Sequence, residues 1–387
     1  MAAPTVCFDL TPFSSGSRFR GIGMYAFELA QALWKVSANA PGEIDLRFLV
    51  GCYATTRVSA EPPAAFTSLH EGALHTHSQY KISKRTYGRI ALRKVDLFHA
   101  AEPDAAPLFG ICRLIVTCHD LIPTVLGGPY LGRTPRWWSR LRDAIRYRAP
   151  LHVIAISEAT RRDVCDLLGV PAERVTVVHH GVDHDFYHAT RAQDEERSVA
   201  AVIATDRPYF LYVGAFDYRK QVPTLIRAFG SIAREVDDDL VISGKLTSPR
   251  LMHTLLEEAK RSGVSKRIRL VGFVPRPLLP ALYRSATAHV LPSLYEGFGM
   301  TLVEAMACGC PIIACPVSAM PEVCGDAVEW AKPGDVQSLA QSLVAVSRDP
   351  KRRARLGQAG IERAARFTWE RAARQTLDVY KTVLTKR

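Results

Sequence analysis

The chain has 387 residues, 48% hydrophobic and 23% charged, a balance that excludes a disordered or fibrous protein and supplies enough apolar side chains for two cores. No apolar run reaches the about eighteen residues of a membrane span, and the start, MAAPTVCFDL, has no basic segment followed by a long apolar one, so a soluble cytoplasmic protein is expected. The formal charge of +12 calls for an anionic partner, with nucleic acid, an anionic membrane surface and a phosphorylated substrate all open, while nine cysteines without a CxxC pair fit reduced thiols.

Val6 to Leu10 reads as a first strand, and after a loop Gly21-Ile22-Gly23 opens a helix to about Val36 with Tyr25, Leu29 and Leu33 along one face. A glycine pair after a first strand is a weak phosphate-loop signal. Ile44 to Val50, Val95 to His99 and Arg113 to Cys118 are further strands. The last of these ends in His119-Asp120, a polar pair where an open α/β sheet presents groups to a ligand crevice. Thr134 and Pro135 have the order of a cap and first turn for a helix to about Arg148. That helix is rich in arginine around Trp137 and Trp138, as Lys81 to Lys94 is rich in Lys and Arg, and both stretches suit anionic lipid headgroups as well as an ordinary solvated face. Leu151 to Ile156 is a strand, Ser157 caps a helix to Leu168, and Arg174 to Val178 is a strand. His180, His184 and His188 have helical spacing, but Gly181 argues against a helix, so no metal site is read there. Arg191 to Val199 is polar and charged and is expected to be the linker.

The strand and helix alternation then restarts, indicating a second doubly wound domain. Tyr209 to Gly214 is a strand, with Arg219 and Lys220 past its carboxyl end, where two cations can neutralise a diphosphate. A helix from Pro223 to about Glu235 and strands at Asp239 to Ser243 and Ile268 to Val271 lead to AHVLPSLYEGFGMTLVEAMACGCPII, residues 288–313. There Ala288 to Leu291 is a strand, Gly297 and Gly299 make a turn, Met300 to Cys308 is a helix stopped at Gly309, and an apolar run from Pro311 to Ala314 follows. The amides near Gly299, Met300 and Thr301 lack intrahelical acceptors at the positive end of the helix dipole and suit a diphosphate. Glu296 lies in the turn. Glu304 sits on one stripe with Thr301 and Cys308, where a carboxylate needs hydrogen-bond donors such as vicinal sugar hydroxyls. A helix from about Val336 to Arg348 and a terminal helix opening at Phe367-Thr368-Trp369 complete the chain.

The two glutamates with seven residues between them, Gly297-Phe298-Gly299 among these, and with Glu304-Ala305-Met306-Ala307 following, resemble the signature of the retaining glycosyltransferases of family 4. The resemblance implies that Glu296 faces the donor sugar, that Glu304 binds the ribose, and that amides including those of Met300 and Thr301 hold the diphosphate. SRFRGIGMYAFELAQAL resembles the glycine loop of the same family, which assigns Gly21 and Gly23, with Arg18 or Arg20, to phosphate. TCHDLIPT resembles its catalytic-centre loop, giving His119 the donor sugar and Asp120 the orientation of His119 or the acceptor. YVGAFDYRKQVPTLIRAF resembles its phosphate-binding segment, although Ala215 stands where members often carry Arg, and Val274 falls where relatives meet the base through the backbone.

By resemblance the fold is GT-B, two facing Rossmann-like doubly wound domains with a central cleft: residues 1–190 on the acceptor side, 200–365 binding the nucleotide sugar, and a terminal helix at 368–387 packing back on the first. Such enzymes need no metal or other cofactor, the nucleotide sugar being a co-substrate, and are described as using front-face attack. RGIGMY and CHDLIP resemble bacterial mannosyltransferases that extend lipid-linked surface polysaccharides, implying GDP-mannose as donor, a lipid-linked saccharide acceptor and peripheral contact with the inner membrane. A UDP-hexose donor is the alternative. Two further readings are a nucleotide-sugar epimerase of the same fold and a basic nucleic-acid-binding protein, for which the glutamate signature has no use.

Overall fold

Runs of Val, Ile, Leu and Phe bounded by turns become the strands of two all-parallel sheets in the computed structural model, which describes residues 3–10, 12, 21–38, 43–50, 74–76, 95–106, 112–132, 134–191, 193, 195–245 and 249–386. The chain divides into one unit of Met1–Gly181 with Trp369–Arg387 and another of Val182–Thr368. The crossing at Gly181 precedes the expected linker at 191–199, and part of that polar segment is a helix.

The first unit holds β1 (Thr5–Asp9), β2 (Asp45–Val50), β3 (Leu74–Thr76), β4 (Leu97–Ala100), β5 (Arg113–Cys118), β6 (His152–Ala155) and β7 (Val175–Val177), in the order β3-β2-β1-β4-β5-β6-β7. Its helices are α1 (Gly21–Ala38), α2 (Ile122–Leu126), α3 (Arg136–Arg148), α4 (Glu158–Leu168) and the last of the chain, α13 (Trp369–Thr385). Ser157 caps α4, its Oγ accepting the Thr160 N–H at 3.0 Å. Thr134 does not cap α3: Pro135 is the N-cap, at φ −60° and ψ 142°, and no side chain caps it, so the helix starts one residue later than its sequence suggests. The edge strand β3 has no counterpart in the sequence reading, because three residues give no period to read.

The second unit holds β8 (Tyr209–Val213), β9 (Asp239–Ser243), β10 (Ile268–Gly272), β11 (Ala288–Leu291), β12 (Ile312–Ala314) and β13 (Glu329–Trp330), in the order β10-β9-β8-β11-β12-β13. Around them lie α5 (Glu195–Ile203), α6 (Val222–Ile232), α7 (Pro249–Arg261), α8 (Leu279–Ser285), α9 (Met300–Ala307), α10 (Met320–Cys324), α11 (Val336–Arg348) and α12 (Pro350–Ala364). Within this unit α5 is tied to α8 by Glu195, whose buried carboxylate receives Arg284 Nε and Nη2 at 2.6 to 3.1 Å. In each sheet the strand order reverses once, between β1 and β4 and between β8 and β11. The crevices outside the carboxyl ends of those pairs are where open α/β sheets bind ligands.

In the first unit, α13 is joined to the sheet by buried polar groups. His99 on β4 bonds Tyr380 Oη through Nδ1 and Thr117 Oγ1 through Nε2, both at 2.7 Å, and Tyr25 Oη of α1 meets the same threonine at 2.8 Å. Burial lowers the His99 pKa to about 3, so its ring is neutral. In the second unit, α12 lies so close to the end of α9 that a Cβ at Gly357 would sit 2.5 Å from Gly309 O. Gly357→Ala is therefore expected to push these segments apart and lose about 1–3 kcal/mol, as overpacking does, visible as a lower urea midpoint; an unchanged midpoint would show that α12 can shift freely.

Candidate active site

The crevice of the second sheet is built from the loops leaving β8 and β11. After β8, Asp217 caps a short 3-10 turn of Tyr218–Lys220, which turns Arg219 and Lys220 toward the neighbouring loop. After β11, Pro292 and Ser293 end the strand and the chain descends to Glu296. The two loops meet there. Lys220 Nζ lies 2.6 Å from Glu296 Oε1 and Arg219 Nη1 2.7 Å from Oε2, while Ser293 Oγ donates to Oε1 at 2.7 Å. Arg219 Nη1 also donates to Tyr295 O at 3.0 Å, and Leu294 N donates to Arg219 O at 2.7 Å. Ser318 closes the loop from outside: its Oγ accepts the Glu296 N–H at 2.7 Å and donates to Glu296 O at 2.8 Å.

Glu296 and Lys220 are 6% and 7% exposed, so charge pairing decides their ionisation. Burial alone would raise the Glu296 carboxyl, but Lys220 and then Arg219 reverse this and hold it below the usual carboxylate range. Burial pulls Lys220 below its ordinary value although Glu296 pushes the other way. The result is a carboxylate clasped by two cations at the switch point.

Three residues on, Gly299 has φ +91° and caps α9 without a side chain. The N–H groups of Leu302 and Val303 turn back to Gly299 O at 2.9 and 3.4 Å, so those of Met300 and Thr301 lie ahead of the first helical acceptor. One turn along, Glu304 is half-buried and Tyr283 Oη of α8 donates to its Oε2 at 3.2 Å. Tyr187 lies beside Tyr283, with ring centroids 6.4 Å apart, and Arg276 stands 4.9 Å over the Phe186 ring and 3.9 Å from Asp183 Oδ2. Val274, two residues past β10, is buried.

In the first unit His119 follows β5, and its Nε2 donates to Ala101 O at 2.8 Å, just past β4. A carbonyl can only accept, so Nε2 carries the proton and Nδ1 the lone pair. Burial lowers the pKa to about 4, against a smaller upward pull from the Ala101 carbonyl, and the imidazole is neutral at physiological pH. Tyr25 meets His119 edge-on at 4.8 Å and stacks on His180 at 4.8 Å, and Trp369 also stacks on His180 at 5.7 Å, 6.2 Å from Tyr25. Asp120 Oδ1 accepts the Ile122 N–H at 3.1 Å and so starts α2, while the bond that orients His119 comes from a backbone carbonyl. Gly21 and Gly23 stand in the first turn of α1, and a Cβ at Gly21 would meet nothing within 4 Å. Arg18 and Arg20 lie outside the described residues.

Arg219, Lys220, Glu296 and the start of α9 thus form one group within the second unit, with Glu304 one turn away. His119 stands with Tyr25 and His180 in the first. Sequence reasoning missed Ser293, Ser318 and Tyr283. The first sits inside the glutamate segment and could have been found; the other two act only through tertiary contact. Among the described residues no group of three or more His, Cys, Asp and Glu side chains is arranged to hold a metal ion.

Comparison with known proteins agrees with this layout. Residues 19–186 match the model "Glycosyltransferase Family 4" and residues 193–363 the model "Glycosyl transferases group 1". Over 252 residues the chain is 30% identical to O-antigen chain mannosyltransferase B of Escherichia coli, covering 62% of this chain and 65% of that protein. It is 25% identical over 275 residues to the serotype-specific mannosyltransferase WbdA of Escherichia coli, covering 70% of this chain and 34% of that one. The chain therefore spans less than two thirds of either relative. The crystal structure of HepE from Anabaena in complex with UDP and glucose superposes with a TM-score of 0.71 at 16% identity, over 98% of this chain and all of that one, a likeness of fold. Two parallel-sheet Rossmann-like units, a glutamate and two cations at a switch point, and these two matched models lead to one conclusion: the chain joins a glycosyltransferase family 4 domain to a glycosyl transferases group 1 domain, on a GT-B fold.

Proposed function

We propose that the protein transfers a mannosyl group from GDP-mannose, with retention at the anomeric carbon, to a lipid-linked saccharide in surface-polysaccharide assembly at the inner face of the membrane. The observation that carries this reading is the Glu296 cluster, where two cations and the leading amides of α9 share one switch point suited to a departing diphosphate. The two mannosyltransferase relatives support the choice of sugar.

In this reading the diphosphate lies against Gly299, Met300 and Thr301. Lys220 offers a point charge and Arg219 a planar fork, both fixed in advance by Glu296, so binding the anion orders few further side chains. Glu304 accepts the ribose hydroxyls while Tyr283 steadies one of its oxygens, and the backbone at Val274 meets the base. His119 takes the transferred sugar as a neutral imidazole, and Gly21, Gly23 and Asp120 serve phosphate and acceptor. The bond from the anomeric carbon to the diphosphate breaks with its electron pair leaving on phosphate. The acceptor oxygen bonds that carbon on the same face, and its proton passes to the departing phosphate oxygen. Because fixed cations and amides meet the charge that develops, the reaction needs no metal, and transfer should survive EDTA.

In a thermal-shift panel of GDP-mannose, UDP-glucose, UDP-galactose and UDP-N-acetylglucosamine, only GDP-mannose should stabilise the protein, by about 2.7 kcal/mol at a hundred times its Kd; a shift with a UDP sugar alone would move the assignment to a UDP-hexose. Glu304→Ala should weaken nucleotide-sugar binding about 10- to 100-fold, the loss of charge-assisted hydrogen bonds, whereas His119→Ala should lower turnover with binding little changed. Lys220→Met should cost about 3 kcal/mol at neutral pH, since it strips a partner from a buried carboxylate, and Lys220→Met with Glu296→Gln should recover much of it. Glu296 is depressed in the folded state, so its contribution is full above the unfolded value of about 4.3 and fades as pH falls through the lower folded value. The stability gap between wild type and Lys220→Met must then close in acid; a gap independent of pH would count against the ion cluster.

A further inference from the structure

The helix α3 is turned inside out relative to an ordinary surface helix. Ser139, Asp143 and Tyr147, one helical turn apart, are 0%, 6% and 3% exposed. Ser139 and Asp143 form a polar seam with α2: Thr124 Oγ1 donates to Asp143 Oδ2 at 2.8 Å and stands 3.4 Å from Ser139 Oγ. The opposite face carries Trp137, Trp138, Leu141 and Ile145, which are 65%, 52%, 45% and 54% exposed. At 3.6 residues per turn these four fall within about 100° of arc, centred nearly opposite the buried three. A folded protein does not leave four large apolar side chains on one stripe without something to cover them.

The charges beside the stripe indicate what covers it. Arg140 and Arg142 project on either flank, and both are exposed. Arg140 donates to the Leu167 carbonyl, and Arg136 and Arg148 likewise donate to carbonyls, of Thr124 and Gly169, partners that leave a full positive charge on each. The helix carries five arginines against one aspartate; that aspartate, on the buried side, pairs with the still exposed Arg142 at 3.2 Å, and Arg146 pairs with Asp104 at 2.5 Å, so the helix keeps a net positive charge. Two adjacent tryptophans, with ring centroids 5.7 Å apart, supply amphipathic rings of the kind that settle at a headgroup layer. An aliphatic and aromatic centre flanked by cations complements an anionic bilayer, whose surface is apolar below and phosphate above. A protein partner would not require cations along both edges.

We propose that this outward face is a membrane-docking surface: Trp137, Trp138, Leu141 and Ile145 enter the boundary between headgroups and acyl chains, and Arg140 and Arg142 reach lipid phosphates on either side. The surface belongs to the first unit and the Glu296 cluster to the second, and the inference does not depend on which sugar is transferred. The test is flotation with vesicles of phosphatidylglycerol and phosphatidylcholine against phosphatidylcholine alone, at low and high salt. Wild type should float with the anionic vesicles and less at high salt, and Trp137→Glu with Trp138→Glu should cut the bound fraction about tenfold, with an unchanged thermal midpoint because both residues are exposed. In wild type, bromine on the upper acyl chain should quench tryptophan emission, a readout that needs no variant. Failure of wild type to float with anionic vesicles, equal flotation of the double variant, or absence of quenching would each overturn the proposal. So would a vesicle-independent dimer, seen by sedimentation, that the double variant dissociates, since a second copy would then be the occupant.

Discussion

Glu296, Lys220 and Arg219 form the contact that fixes the rest of the second unit's functional end. A carboxylate 6% exposed is tolerable only with partners, and here two cations and a serine hydroxyl take both its oxygens. Because those cations come from the loop after β8 and the carboxylate from the loop after β11, the ion cluster sets the separation of the two loops at the sheet's switch point. Ser318 then holds the Glu296 backbone from the other side. The start of α9 inherits its position from that loop, being only four residues further on. The leading amides of α9 and the two cations are thereby placed together before any ligand arrives, the arrangement that the proposed stabilisation of a leaving group requires.

The first unit solves a similar problem with neutral groups. Tyr380, His99, Thr117 and Tyr25 form a buried chain of hydrogen bonds in which both nitrogens of His99 are satisfied. Burial favours the uncharged imidazole, so the chain carries polarity and direction without charge. It ties α13 to β4, β5 and α1, and Tyr25 in turn lies against His119 and His180. His119 is thus held by aromatic packing and one carbonyl, and its burial keeps it neutral.

On α3 the usual rule of apolar inside and polar outside is reversed locally. The polar seam with α2 is satisfied by Thr124 and Asp143, so the buried side costs little, while the apolar side is left to an outside surface.

By itself the sequence determined the alternation of strands and helices, hence two parallel sheets, and it placed the glycine turn, the start of α9 and both glutamates. Those features depend on backbone conformation, capping and short-range periodicity, which are written in consecutive residues. Ser157 as a cap was legible for that reason, and so was Gly309 at the end of α9. Only the tertiary structure decided that Glu296 pairs with Lys220, 76 positions away, that Tyr283 reaches Glu304, and that His99 meets Tyr380, 281 positions away. It also decided that the polar residues 195–203 are a docked helix, because Arg284 waits for Glu195, and that the tryptophans of α3 face outward, because Thr124 takes the opposite side. Which partner satisfies a buried charge or hydroxyl is settled by desolvation between segments far apart in the chain, and no local pattern records it.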